Sequence, residues 1–60
     1  MHGNDLRALR ESLGLTQSAL ADALGMHANT VARMERDEKP ISTRTAATCE
    51  LLARVMTPPP

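Results

Sequence analysis

The stretch that decides the fold is LTQSALADALGMHANTVARMER, Leu15 to Arg36. It contains two short helix-like runs separated by Gly25. In the first, Leu20, Ala21 and Leu24 recur at i, i+1 and i+4, and Thr16 stands where a side-chain oxygen can cap the free amides of a helix start. In the second, which begins near His27 or Ala28, Val31 and Met34 mark an inward face at i and i+3. Helices joined by so few residues cannot lie antiparallel, so they must cross steeply. Gly25 permits the tight turn, Ala21 is small where the second helix comes close, and Met26 tucks under the turn.

The rest of the chain extends this pattern in both directions. Upstream, Leu6, Leu9 and Leu13 fall at i, i+3 and i+7, which predicts a helix over about Asp5 to Leu13. Asn4 is its expected N-cap, Asp5 faces its dipole and Gly14 stands beyond its end. Downstream, the third helix ends near Arg36. Asp37, Glu38, Lys39 and Pro40 make a charged loop, since Pro40 cannot continue a helix and biases Lys39 toward an extended conformation. Ser42 or Thr43 caps a last helix running to about Met56. Its apolar stripe is Ala46, Cys49, Leu52, Val55 and Met56, with Leu51 to one side. Ala46, Cys49 and Leu52 are the core part of that helix, whereas Leu51, Val55 and Met56 are candidates for a dimer interface. Thr57 to Pro60 reads as a proline-rich extended tail.

Composition narrows the class. Sixty residues make one domain, with a core over about residues 5–56, and a domain this small is marginal without help. The single cysteine, Cys49, excludes a disulfide and a cysteine-rich zinc site, and His2 and His27 share no helical spacing that would hold a metal. No metal and no cofactor is expected, which leaves oligomerisation as the common staple. There is no Phe, Tyr or Trp, and Val31, Ile41 and Val55 are the only β-branched apolar residues, so the fold should be all-α. The missing aromatics weigh against recognition by base stacking. No nucleophile–base pair, carboxylate dyad or phosphate loop is present, and a chain this short cannot enclose a substrate pocket, so a binding protein is expected, not an enzyme. No run approaches a membrane span and the start lacks an apolar signal segment, so no membrane contact is expected and the expected location is the bacterial cytoplasm.

These features meet in one resemblance. LRALRESLGLTQSALADALGMHANTVARMER, Leu6 to Arg36, resembles the phage-repressor and Cro-like (XRE) helix-turn-helix family. The resemblance rests on Arg10, Leu13-Gly14, Thr16-Gln17, Leu20-Ala21, Gly25, Val31 and Glu35, and extends over about residues 5–56. It implies a small lambda-repressor-like bundle of four to five helices whose third helix enters the major groove of double-stranded DNA. Carried over residue by residue, it implies base contacts from Ala28, Asn29 and Arg33. Asn pairs with adenine, Arg with guanine, and Ala can meet a thymine methyl. It implies phosphate contacts from Gln17, aided by its helix start, and from His27 and Thr30. Arg10 and Glu35 match a pair that bridges the first and third helices. Arg36, Lys39 and Arg44 lie beside the expected DNA face and can supply a positive patch, with Asp5, Glu11, Asp22 and Glu50 on the other side. That segregation would reconcile DNA binding with a formal net charge of zero. In relatives the position after Arg36 is commonly Gly; here it is Asp37, which tolerates a left-handed backbone but adds a negative charge. Many relatives also have a fifth helix, for which this chain leaves little room. The expected activity is that of a transcriptional regulator, a repressor binding a palindrome as a homodimer. The alternatives are the antitoxin of a toxin–antitoxin pair, or a protein-interaction module that kept the fold and lost DNA binding.

Overall fold

A computed structural model describes residues 1–56; the expected tail, Thr57 to Pro60, lies outside the described residues. Four helices follow one another: α1 Gly3–Ser12, α2 Gln17–Leu24, α3 Ala28–Glu35 and α4 Thr43–Met56. There is no strand among the described residues. The buried core is aliphatic and sulfurous, made of Leu6 from α1, Leu20 and Ala21 from α2, Val31 and Met34 from α3, and Cys49 from α4. Leu9, Leu15, Leu24, Met26, Ile41 and Leu52 pack around it. Each helix thus contributes one stripe at helical spacing, as a period of 3.6 residues requires.

The first three helices end in the same way. The Leu15 amide donates to the Arg10 carbonyl (3.1 Å) and the Gly14 amide to Glu11 (3.0 Å). At the end of α2, Met26 donates to Ala21 (2.9 Å) and Gly25 to Asp22 (3.2 Å). At the end of α3, Glu38 donates to Arg33 (2.9 Å) and Asp37 to Met34 (3.1 Å). This nested pair of bonds satisfies carbonyls left open by the last turn and needs one left-handed residue. Gly14 (φ 69°) and Gly25 (φ 71°) supply it in the first two cases, and Asp37 (φ 59°) in the third.

Caps define the helix starts. Thr16 Oγ1 accepts from the Ala19 amide (3.0 Å) ahead of α2, and Ser42 Oγ accepts from the Thr45 amide (3.1 Å) ahead of α4. The start of α1 corrects the sequence reading. The helix begins at Gly3, two residues before the expected Asp5, and its N-cap is His2, not Asn4. Asp5 Oδ2 accepts from the His2 amide (3.0 Å), an acidic side chain closing back on the cap residue. The extra turn forms because Gly3 is buried against the end of α3. A Cβ on Gly3 would lie 2.6 Å from the Met34 carbonyl oxygen and closer still to that of Glu35, so only glycine lets the two backbones meet there. At the other end Leu13 falls outside the helix as its C-cap residue.

Candidate nucleic-acid interface

The inward side of α3 is fully committed. Val31, Met34 and Glu35 are buried, and the outward side carries Ala28, Asn29 and Arg33, all exposed, with Thr30 half-buried between them. Asn29 and Arg33 lie about 40° apart on one face of the helix, while Ala28, in the first turn, stands about 140° from Arg33. At its start, His27, Ala28, Asn29 and Thr30 line a shallow open concavity. His27 is the N-cap residue, is exposed and makes no side-chain cap bond. The α3 start also presents amides that its own turn does not use, together with the positive end of the helix dipole.

Behind this face, α1, α2 and α3 are tied by one polar joint. Arg10 Nε donates to Glu35 Oε2 at 2.7 Å and Arg10 Nη2 to Glu35 Oε1 at 3.2 Å. The Arg10 side chain is 13% exposed and that of Glu35 5%. Arg10 Nη1 also donates to the Leu15 carbonyl (2.9 Å), in the turn that leads into α2. Gln17, the first residue of α2, donates from Nε2 to Glu35 Oε1 at 3.3 Å. The hydrogen bonds to Glu35 hold the Arg10 guanidinium above its ordinary pKa, against the opposing effect of burial. No buried side-chain nitrogen or oxygen among the described residues lacks a partner, so the joint is closed. Sequence reasoning placed Gln17 at a phosphate and gave no sign that its amide also reaches Glu35. The contact spans 18 residues and depends on how α2 crosses α3.

The remaining charges are partly paired. Besides the Arg10–Glu35 pair, Arg7 meets Glu11 (3.4 Å) and Arg36 meets Glu38 (2.8 Å), both in exposed pairs. Arg36 therefore carries its own local counter-charge, which offsets its part in the positive patch; exposed pairs of this kind contribute little to stability. Arg33, Lys39 and Arg44 make no ion pair among the described residues, and all three are exposed. Arg44 stands in the first turn of α4, where the helix dipole favours an anion over a cation. Of the acids, Asp5 and Asp37 both serve the start of α1, accepting from the amides of His2 and Gly3. That start packs on the end of α3, a helix length of about 12 Å from the Ala28–Asn29 end. Asp37, expected to add a negative charge, turns its carboxylate to the Gly3 amide of α1.

The dimer candidates fall into two groups. Leu51 and Val55 are exposed (59% and 75%) and lie about 40° apart around α4, on the side away from Cys49. Met56 is 43% exposed but lies about 140° from Leu51, on the core-facing side, so it does not share their face. No helix among the described residues is long and apolar enough to cross a membrane.

A comparison with protein-family models matches residues 6–55 to a helix-turn-helix family of the Cro/C1 type. Searches of curated proteins and of solved structures returned no match. The matched segment runs from Leu6 in the core to Val55 near the end of α4, covering α2, the Gly25 turn and α3 whole; the chain belongs to the Cro/C1-type (XRE) helix-turn-helix family, a family of DNA-binding domains.

Proposed function

We propose that the chain is a sequence-specific transcriptional regulator that binds double-stranded DNA and acts as a repressor by occupying its site. The observation that carries this reading is the division of α3. Its inner side is spent on the core and on Glu35, while Ala28, Asn29 and Arg33 stand outward beside an open helix start. In this reading α3 enters the major groove. Arg33 reads guanine and Asn29 adenine, and Ala28 lies against a thymine methyl. Gln17, His27, Thr30, Arg36, Lys39 and Arg44 hold phosphates on either side, with Arg36 the weakest because of Glu38. The unpaired cations Arg33, Lys39 and Arg44 support this assignment, and so does a cation in the first turn of α4, which gains from an anion brought to that end.

Two copies related by a two-fold axis would read an inverted repeat with half-sites about 10 bp apart. The exposed Leu51 and Val55 support self-association through α4. The same pair supports a second reading, in which α4 instead docks a protein partner such as the toxin of a toxin–antitoxin pair. In vitro selection from random duplexes at moderate salt tests the main reading. Enrichment of an inverted repeat is expected, with affinity falling steeply as salt rises. Recovery of unenriched sequences would overturn base reading by α3 and favour the protein partner.

A further inference from the structure

Three helices end in the same nested turn, two with glycine at the left-handed position and the third with Asp37. A left-handed backbone is disfavoured for a residue with a Cβ, so the exception calls for a compensating contact. One is present: Asp37 Oδ1 accepts from the Gly3 amide at 2.9 Å, across 34 residues of chain. Gly3 is the first residue of α1, and its amide is one of those a helix start leaves without an internal partner. The glycine is itself required, because its backbone rests on the Met34 and Glu35 carbonyls, where a Cβ would overlap. The end of α3 and the start of α1 thus meet in a joint made by two departures from ordinary residue choice.

We infer that Asp37 and Gly3 form a latch that sets the direction of α3 and of the loop after it, which makes both positioning residues for DNA reading. The inference rests on the DNA-binding reading above. The latch and the Arg10–Glu35–Gln17 joint both act at the C-terminal end of α3, whose last residue is Glu35, the joint toward α1 and α2 and the latch toward the start of α1. Val31 and Met34 seat α3 in the core, and the polar contacts at its C-terminal end then set the direction in which it leaves that seat. The same carboxylate anchors the first residue of the loop that carries Lys39, so the latch also sets where that cation lies. The bond is charge-assisted and part-buried.

Two variants separate positioning from simple stability. Asp37→Asn keeps an acceptor oxygen and a tolerance of the left-handed backbone. Asp37→Gly keeps the turn, as Gly14 and Gly25 do, and removes the acceptor. In the unaltered protein the Gly3 amide should exchange with solvent more slowly than a free helix-start amide. In Asp37→Gly it should exchange at the open rate while the Val31 amide stays protected. Residual dipolar couplings should show a changed angle between α1 and α3 in Asp37→Gly and the original angle in Asp37→Asn. With the selected duplex, Asp37→Gly should bind about tenfold more weakly and Asp37→Asn within about threefold of the parent, at temperatures where both are folded. An unprotected Gly3 amide in the parent, or an unchanged angle and affinity in Asp37→Gly, would overturn the latch. Should the parent bind no duplex, the DNA reading fails, while the amide and the angle still decide whether the latch exists.

Discussion

Removing Arg10 should destabilise the fold strongly. The guanidinium makes three hydrogen bonds, two to Glu35 at 2.7 and 3.2 Å and one to the Leu15 carbonyl at 2.9 Å. Arg10→Ala leaves a carboxylate whose side chain is only 5% exposed, with the 3.3 Å contact to Gln17 as its remaining side-chain partner. Breaking one partner of a buried pair costs about 3–5 kcal/mol, and the 13% exposure of Arg10 favours the lower end, about 3 kcal/mol. A domain of this length has a total stability of roughly 3–9 kcal/mol, so this loss is a third of it or more. At about 4–8 °C per kcal/mol, the thermal midpoint should fall by roughly 12–24 °C. Urea and thermal melts followed by circular dichroism at 222 nm would measure this. Replacing both partners, Arg10→Met with Glu35→Leu, should restore most of the loss, because an apolar pair leaves no charge unpartnered. A cost below about 1 kcal/mol for Arg10→Ala, or equal costs of Glu35→Ala with and without Arg10, would place the pair among weak exposed contacts and refute the reasoning.

Three further outcomes are expected. Arg33→Ala should weaken operator binding by about 1–3 kcal/mol and relax the preference at one base pair, as read by repeated selection; a uniform loss across sequences would make Arg33 a phosphate contact. Leu51→Glu should change monomer stability by no more than about 0.5 kcal/mol, since the side chain is 59% exposed, yet abolish the steep two-site binding curve on an inverted repeat; an unchanged curve would move the dimer contact off this face. Burial, with a smaller contribution from Glu50, pushes the Cys49 thiol above its ordinary pKa. The folded state therefore favours the neutral thiol. That stability is fully present below the unfolded value of about 8.5 and is lost as pH rises through the higher folded value. Urea midpoints at pH 7 and pH 10 should differ in the parent and differ less in Cys49→Ala, while native Cys49 should alkylate only as fast as the fold opens.

What the sequence disclosed was the local part of the structure. Thr16, Gly25 and the Leu20–Ala21–Leu24 spacing carry their meaning within a single turn, and α2 stands where they place it, Gln17 to Leu24. The start of α1 was misread for the opposite reason. Gly3 is a poor helix former, and it belongs to α1 because the end of α3 lies against it, a cause 31 or more residues away in the chain. Asp37 likewise reads as a stray loop charge until Gly3 is set beside it. The core stripe of α4 could be traced by period through Cys49 and Leu52, and the same period, carried to the end of the helix, sets Met56 apart from Leu51 and Val55. For the candidate interface, the family resemblance pointed to Ala28, Asn29 and Arg33, and all three are exposed on α3. The Gln17–Glu35 contact was hidden because it depends on tertiary crossing.

The two-sidedness of α3 also bears on how such a protein can change. The side chains of Ala28, Asn29 and Arg33 are exposed and lie outside the core, whereas Val31, Met34 and Glu35 are buried. Exposed positions accept substitution within about 0.5 kcal/mol, so the outer three can be exchanged almost freely in stability terms. Under the proposed reading of bases by α3, mutation can therefore explore new target sequences on an intact scaffold, one outward residue at a time, and a duplicated copy can acquire a different target without first repairing its fold.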